Sequence, residues 1–109
     1  MLEAAARAVQ TDPADAEAHD ALGEAVGMTG DLARVRAEIE QALALNPGGP
    51  MPLFSYAGWA SAFGEPEKGA EAADRLIRID PNFQAITPGG VSYPYFMVGR
   101  YEDALRELT

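Results

Sequence analysis

A fixed spacing narrows the choices for this chain more than any other feature. Asp12-Pro13, Asn46-Pro47 and Asp80-Pro81 each place a proline after an acidic or amide residue, and the prolines are 34 residues apart both times. Gly30 and Gly64 repeat that distance, and Gly99 follows after 35. Two residue types keeping one period in different phases mark an internal repeat. At 1.5 Å of rise per helical residue, a period of this length holds two short helices and two tight turns.

The residues between the markers have a helical pattern. Leu32, Val35, Ile39, Ala42, Leu43 and Leu45 form an apolar stripe at three- and four-residue intervals. Alanine, the strongest helix former, is abundant throughout. Asp31 can cap a helix start after Gly30, and Pro66 suits a first helical turn. Asp12, Asn46 and Asp80 each precede a proline, which closes the helix before it. The spacing predicts helices over 2–11, 15–28, 31–45, 52–63, 66–79, 85–98 and 100–108. They group into one domain: a partial repeat at 1–13, then repeats at 14–47, 48–81 and 82–109. The last repeat carries Pro88, Gly89, Gly90 and Pro94. Pro94 removes a backbone donor inside the expected helix, which should be shortened, kinked or broken near 88–94.

Composition excludes several functions. With 17 acidic and 8 basic residues the net charge is −9, which works against binding nucleic acid or an anionic membrane. Without cysteine there is no disulfide, thiolate metal site or cysteine nucleophile. No apolar run reaches the roughly 20 residues of a membrane span, and Glu3 and Arg7 interrupt the first thirteen residues, so no secretory signal is read. A cytoplasmic location fits. The single histidine, His19, lies four residues from Asp15 and reads as a local charge pair. Gly48-Gly49 and Gly89-Gly90 continue into no phosphate-loop pattern. Glu71–Arg75, Asp74–Arg78 and Glu102–Arg106 are spaced as i,i+4 ion pairs on an outer helix face. The expectation is a chain that is not an enzyme, with no catalytic residue, metal or cofactor.

These residues resemble the tetratricopeptide repeat, whose period is also 34. The resemblance rests on Leu22, Gly23, Val26, Gly30, Ile39, Ala42 and Pro47 in the first full repeat. The second supplies Leu53, Tyr56, Ala57, Ala60, Gly64, Gly69 and Pro81, and the third Val91, Ser92, Tyr95, Gly99, Ala104 and Leu108. It implies an all-α fold, a right-handed α-solenoid of helix-turn-helix hairpins with about three repeats. Val35 stands where a small residue is usual, implying a slightly wider helix pair there. A looser similarity, over residues 59–83 and 95–108, is to segments that follow the catalytic domain in bacterial class III adenylate cyclase-like proteins. It implies a regulatory or assembly segment of a larger signalling enzyme.

In this repeat family the first helix of each pair lines a concave groove. Applied here, the lining is Glu17, Asp20, Glu24 and Met28 in the first repeat, then Met51, Phe54, Gly58, Ser61 and Ala62. Ile86, Tyr93, Phe96 and Met97 follow in the third. One end is acidic and the other apolar, because every aromatic residue lies at position 54 or later. The implied role is a protein–protein interaction scaffold whose partner is a protein or peptide with basic and apolar residues. Tyr56, Trp59 and Tyr95 are expected in the core. The carboxylate clamp of chaperone-binding members is not expected, since Asp20, Glu24, Ser55, Ile86 and Gly90 occupy its positions. Leu2, Val9, Leu105 and Leu108 leave the end helices uncapped, so self-association through them, or a longer parent chain, is also expected.

Overall fold

The structure is a computed structural model that describes residues 2–82 and 91–108, with side chains to residue 107. Its helices are α1 (Leu2–Thr11), α2 (Ala16–Gly27), α3 (Leu32–Leu45), α4 (Pro50–Trp59), α5 (Pro66–Ile79), α6 (Ser92–Met97) and α7 (Tyr101–Leu108). No strand occurs among the described residues. The pairs α2/α3, α4/α5 and α6/α7 form antiparallel hairpins. They stack in chain order, α1 on α2, α3 on α4 and α5 on α6, while α4 also touches α2 and α6. The fold is therefore an all-α solenoid.

Local chemistry sets the boundaries. The Asp15 carboxylate caps α2 by accepting from the backbone N–H of Glu17 and Ala18 at 3.0 and 3.3 Å. Asp31 does the same for α3, accepting from the Arg34 N–H at 3.2 Å. Pro66 opens α5, where its missing N–H costs nothing. The hairpin turns centre on Gly30, Gly64 and Gly99, with φ of 81°, 79° and 80°. That left-handed backbone is what ties glycine to the period.

Two boundaries differ from the sequence reading. Helix α4 starts two residues early, because Pro50 is itself a good first residue, and it ends at Trp59 rather than 63. Beyond it, the Ala60 carbonyl accepts from both Phe63 and Glu65 at 3.1 and 2.9 Å, which closes the turn. In the third hairpin α6 has six residues, with Pro94 in its first turn. There its missing donor has no intrahelical acceptor to lose. Ile86, Pro88, Gly89 and Gly90, and the first part of the expected 85–98 helix, lie outside the described residues.

The hairpins close on small residues. A Cβ on Gly69 would stand 2.8 Å from the Ala60 Cβ, so α5 approaches the end of α4 as closely as glycine allows. A Cβ on Gly23 would meet Ile39 at 3.1 Å and the Val35 carbonyl at 3.4 Å. Gly23 thus lets α2 come close to the α3 backbone, while the Val35 side chain lies 3.7 Å from a Cβ placed on Gly27 and is fully buried. Val26, Val35, Ile39, Leu53, Leu76, Val91 and Tyr95 are the large buried side chains of one continuous core. Each apolar side chain of this size contributes roughly 1.5–3 kcal/mol when buried.

Candidate functional site

The first helices of the hairpins, α2, α4 and α6, form one wall of the solenoid. On α2, Glu17 and Glu24 are exposed and Met28 is 76% exposed. On α4, Met51 and Gly58 are exposed and Phe54 is half-buried; past its end Ser61 is half-buried and Ala62 exposed. On α6, Tyr93, Phe96 and Met97 are exposed, and the Phe96 ring packs edge-on against Tyr101 at 5.5 Å. Carboxylates thus stand at the α2 end, together with Met28, while the aromatic side chains and the other methionines lie on α4 and α6.

Asp20 departs from the free groove carboxylate that the sequence suggested. It is only 5% exposed, at the contact between α2 and α4. The Ser55 side chain on α4 faces it, while its Oδ1 is buried without a hydrogen-bond partner. Burial pushes its pKa up; Ser55 opposes this, and the charges of Glu24 and Glu17 add to it. The helical count places Asp20 between Glu17 and Glu24 on one face but is blind to α4, which covers it.

Trp59 is half-buried, and its indole Nε1 donates to Glu24 Oε1 at 3.3 Å. Its ring stacks on Phe63, centroids 6.4 Å apart and planes 13° from parallel. Tyr56 and Tyr95 are buried, as expected of core residues.

His19 is buried and makes two contacts across elements. Nε2 donates to the Pro13 carbonyl at 2.7 Å, and Nδ1 faces Glu38 Oε1 on α3 at 3.1 Å. The expected local pair with Asp15 is replaced, because Asp15 is spent on capping α2. Burial works to lower the His19 pKa, but the Pro13 carbonyl, Glu38 and the Asp15 charge outweigh it and raise it. Three arginines also reach across to another hairpin or its linker, in addition to pairs along a helix such as Arg36–Glu40. Arg75 donates to the Pro47 carbonyl at 3.0 Å. Arg100 grips both oxygens of Asp74 at 3.0 and 3.1 Å and also bonds Asp103, to which Arg106 is tied. The Tyr95 hydroxyl donates to Asp74 at 2.8 Å. Arg36 bonds Glu65, which also pairs with Lys68 at 2.7 Å.

Among the described residues no group of three or more His, Cys, Asp or Glu is arranged to hold a metal ion. No described helix is long and apolar enough to cross a membrane.

Solved structures match this architecture. A mutant of the Thermobaculum terrenum O-GlcNAc transferase aligns over 86% of this chain with a TM-score of 0.74 and 22% identity. Two crystal structures of MamA align over 98% and 97% of it, with TM-scores of 0.74 and 0.73 and 24% identity in each. This chain spans 18% of the transferase chain and 62% and 57% of the MamA chains. These matches show a tetratricopeptide-type solenoid and give no support to the adenylate cyclase resemblance. No protein-family model and no curated protein matches the sequence.

Proposed function

We propose that this chain is a non-enzymatic protein-interaction scaffold, with repeats at 14–47, 48–81 and 82–109, that binds a partner segment along the α2–α4–α6 wall. What supports this reading is the side-chain gradient on that wall, from Glu17 and Glu24 through Met51 and Phe54 to Tyr93, Phe96 and Met97. Exposed methionine and aromatic side chains suit adaptable apolar contacts, and carboxylates at one end favour a basic residue in the ligand. Asp20 and Ser61 belong to the wall as supporting positions. Asp20 acts from beneath the surface, where its charge adds to that of its neighbours. Selection from a random peptide library on the immobilised chain is expected to enrich sequences with Lys or Arg at one end and apolar residues at the other. Glu17→Lys combined with Glu24→Lys should then weaken the selected peptides by about tenfold, the loss expected for removing two favourable charge contacts. Selected peptides that bind wild type and variant equally would sink the reading.

The transferase match favours a second reading, since there a similar solenoid is one part of a much longer enzyme chain. In this reading the scaffold is a regulatory or assembly segment of a larger enzyme, the setting that the looser resemblance also implies. A reading frame with a catalytic domain next to this segment would support it, and one made of repeats alone would not.

A further inference from the structure

At the turn edge of the array, away from the middle of the wall, an apolar cavity of about 240 Å³ opens between the first two hairpins. Gly27, Gly30, Leu32, Val35 and Trp59 line it, with no charged side chain among them. Two glycines make the space. A Cβ on Gly27 would lie 2.7 Å from the Trp59 ring, so any larger residue would fill the cavity or displace the indole. At Gly30 the backbone is left-handed, which keeps a side chain out. Phe63 supports the Trp59 ring and Glu24 fixes its edge, so the wall is preformed.

We propose that this cavity receives one aliphatic side chain, of leucine or methionine size, from a partner polypeptide in which that residue lies beside Lys or Arg. The volume is below the roughly 300 Å³ at which small-molecule pockets begin, yet ample for a single side chain. The surroundings set the charge. At this edge Glu24, bonded to the Trp59 indole, and Asp31, next to Gly30, are exposed carboxylates, and Arg34 stands exposed beside Val35. Arg36, on the flank of Phe63, is already matched by Glu65 and Glu40. A cation beside the aliphatic residue therefore meets the Glu24 carboxylate at the rim of the cavity. The inference rests on the proposed wall reading in sharing its Glu24 carboxylate, and adds to it the cavity beside that residue; the serine peptide tests the cavity and the Glu17/Glu24 charge reversal tests the wall.

Trp59 is the only tryptophan of the chain, so its emission and its indole N–H resonance report on this cavity and on the Glu24 contact at its rim. The probe is a blocked pentapeptide of one leucine flanked by two lysines on each side, titrated to about 1 mM. Binding should move the emission to shorter wavelength and shift the indole N–H signal. Replacing leucine with serine should weaken binding about tenfold, and raising the salt should weaken it further. A peptide with glutamates in place of the lysines should leave the signals unmoved. Glu24→Gln, at an exposed position, should cost several-fold in affinity without disturbing the fold, and Gly27→Ala should reduce the response by crowding the ring. The proposal is overturned by equal binding of the leucine and serine peptides, or by an indole signal that stays put at the highest concentration. A Trp59 shift that grows with protein concentration in the absence of peptide would overturn it as well, since a second copy would then be the occupant.

Discussion

Single residues in this chain act through the role that position gives them, and the glycines show it best. Gly64 sits at φ 79° in a turn, whereas Gly58 is helical and exposed with open space where a Cβ would go. Gly64→Ala should therefore destabilise the fold by about 1–2 kcal/mol, and Gly58→Ala should stabilise it by about 0.5–1 kcal/mol. The two signs can be read from denaturant midpoints. His19 offers a pH test. Its folded pKa lies above the ordinary 6.5, so its contribution is fully present below that value and is lost as pH rises through the folded pKa. The unfolding midpoint should fall as pH rises from 6.5 into the alkaline range, and His19→Gln should flatten that fall. Asp20 is also raised, from 3.8, so its contribution fades in a more acidic window. Asp20→Asn should remove only that part of the profile. The partners of both groups were hidden in the sequence. Asp15 was the nearest candidate for His19, but the capping role took it, and Glu38 comes from the next helix.

At the scale of elements, most boundaries were legible because Pro and Gly act locally. Pro66 starts α5 and Gly64 turns the chain whatever the rest of the molecule does. Contacts between elements were not legible. Asp74 and Arg78 are spaced for an ion pair, yet Asp74 instead receives Arg100 and the Tyr95 hydroxyl from the following hairpin. This carboxylate joins α5 to both α6 and the turn before α7. Burial acts to raise its pKa, but bonding to Arg100 and Tyr95 wins and lowers it. Asp74→Ala should cost about 1–3 kcal/mol, mainly because the buried Tyr95 hydroxyl loses its acceptor. Arg100→Ala should cost about 1 kcal/mol or less, since that side of the pair is open to solvent. Equal losses in thermal unfolding would show that the arginine carries the junction instead. That α2, α4 and α6 are the first helices of their hairpins was legible from the period, but the burial of Asp20 beneath α4 and the Trp59 cavity were not. Nothing in the spacing says that Trp59 meets Gly27, thirty-two residues earlier.

The molecule measures 42 × 26 × 22 Å, long in one direction because, among the described residues, each hairpin packs mainly on its neighbours in the chain. Stability in such an array is a sum of nearest-neighbour terms. Ile39, Leu53, Ala73 and Leu76 are deeply buried in the first two hairpins, whereas α1 has no fully buried residue and Leu105 of α7 is 63% exposed. Amide hydrogen exchange should be slowest in α3, α4 and α5 and fastest in α1 and α7. Uniform protection from end to end would contradict additive stacking. The residue after each of the last two turn glycines reaches back to the hairpin before it, with opposite polarity in the two cases. Glu65 is a carboxylate that finds Arg36, and Arg100 is a cation that finds Asp74. Were a gene duplication to insert a second copy of α4–α5 directly after the first, the new Glu65 would arrive where Arg100 now stands and face Asp74, anion against anion. The modules are alike enough to stack but not interchangeable, so growth of this array by copying is penalised and the order of its parts is written into the charges at its bends.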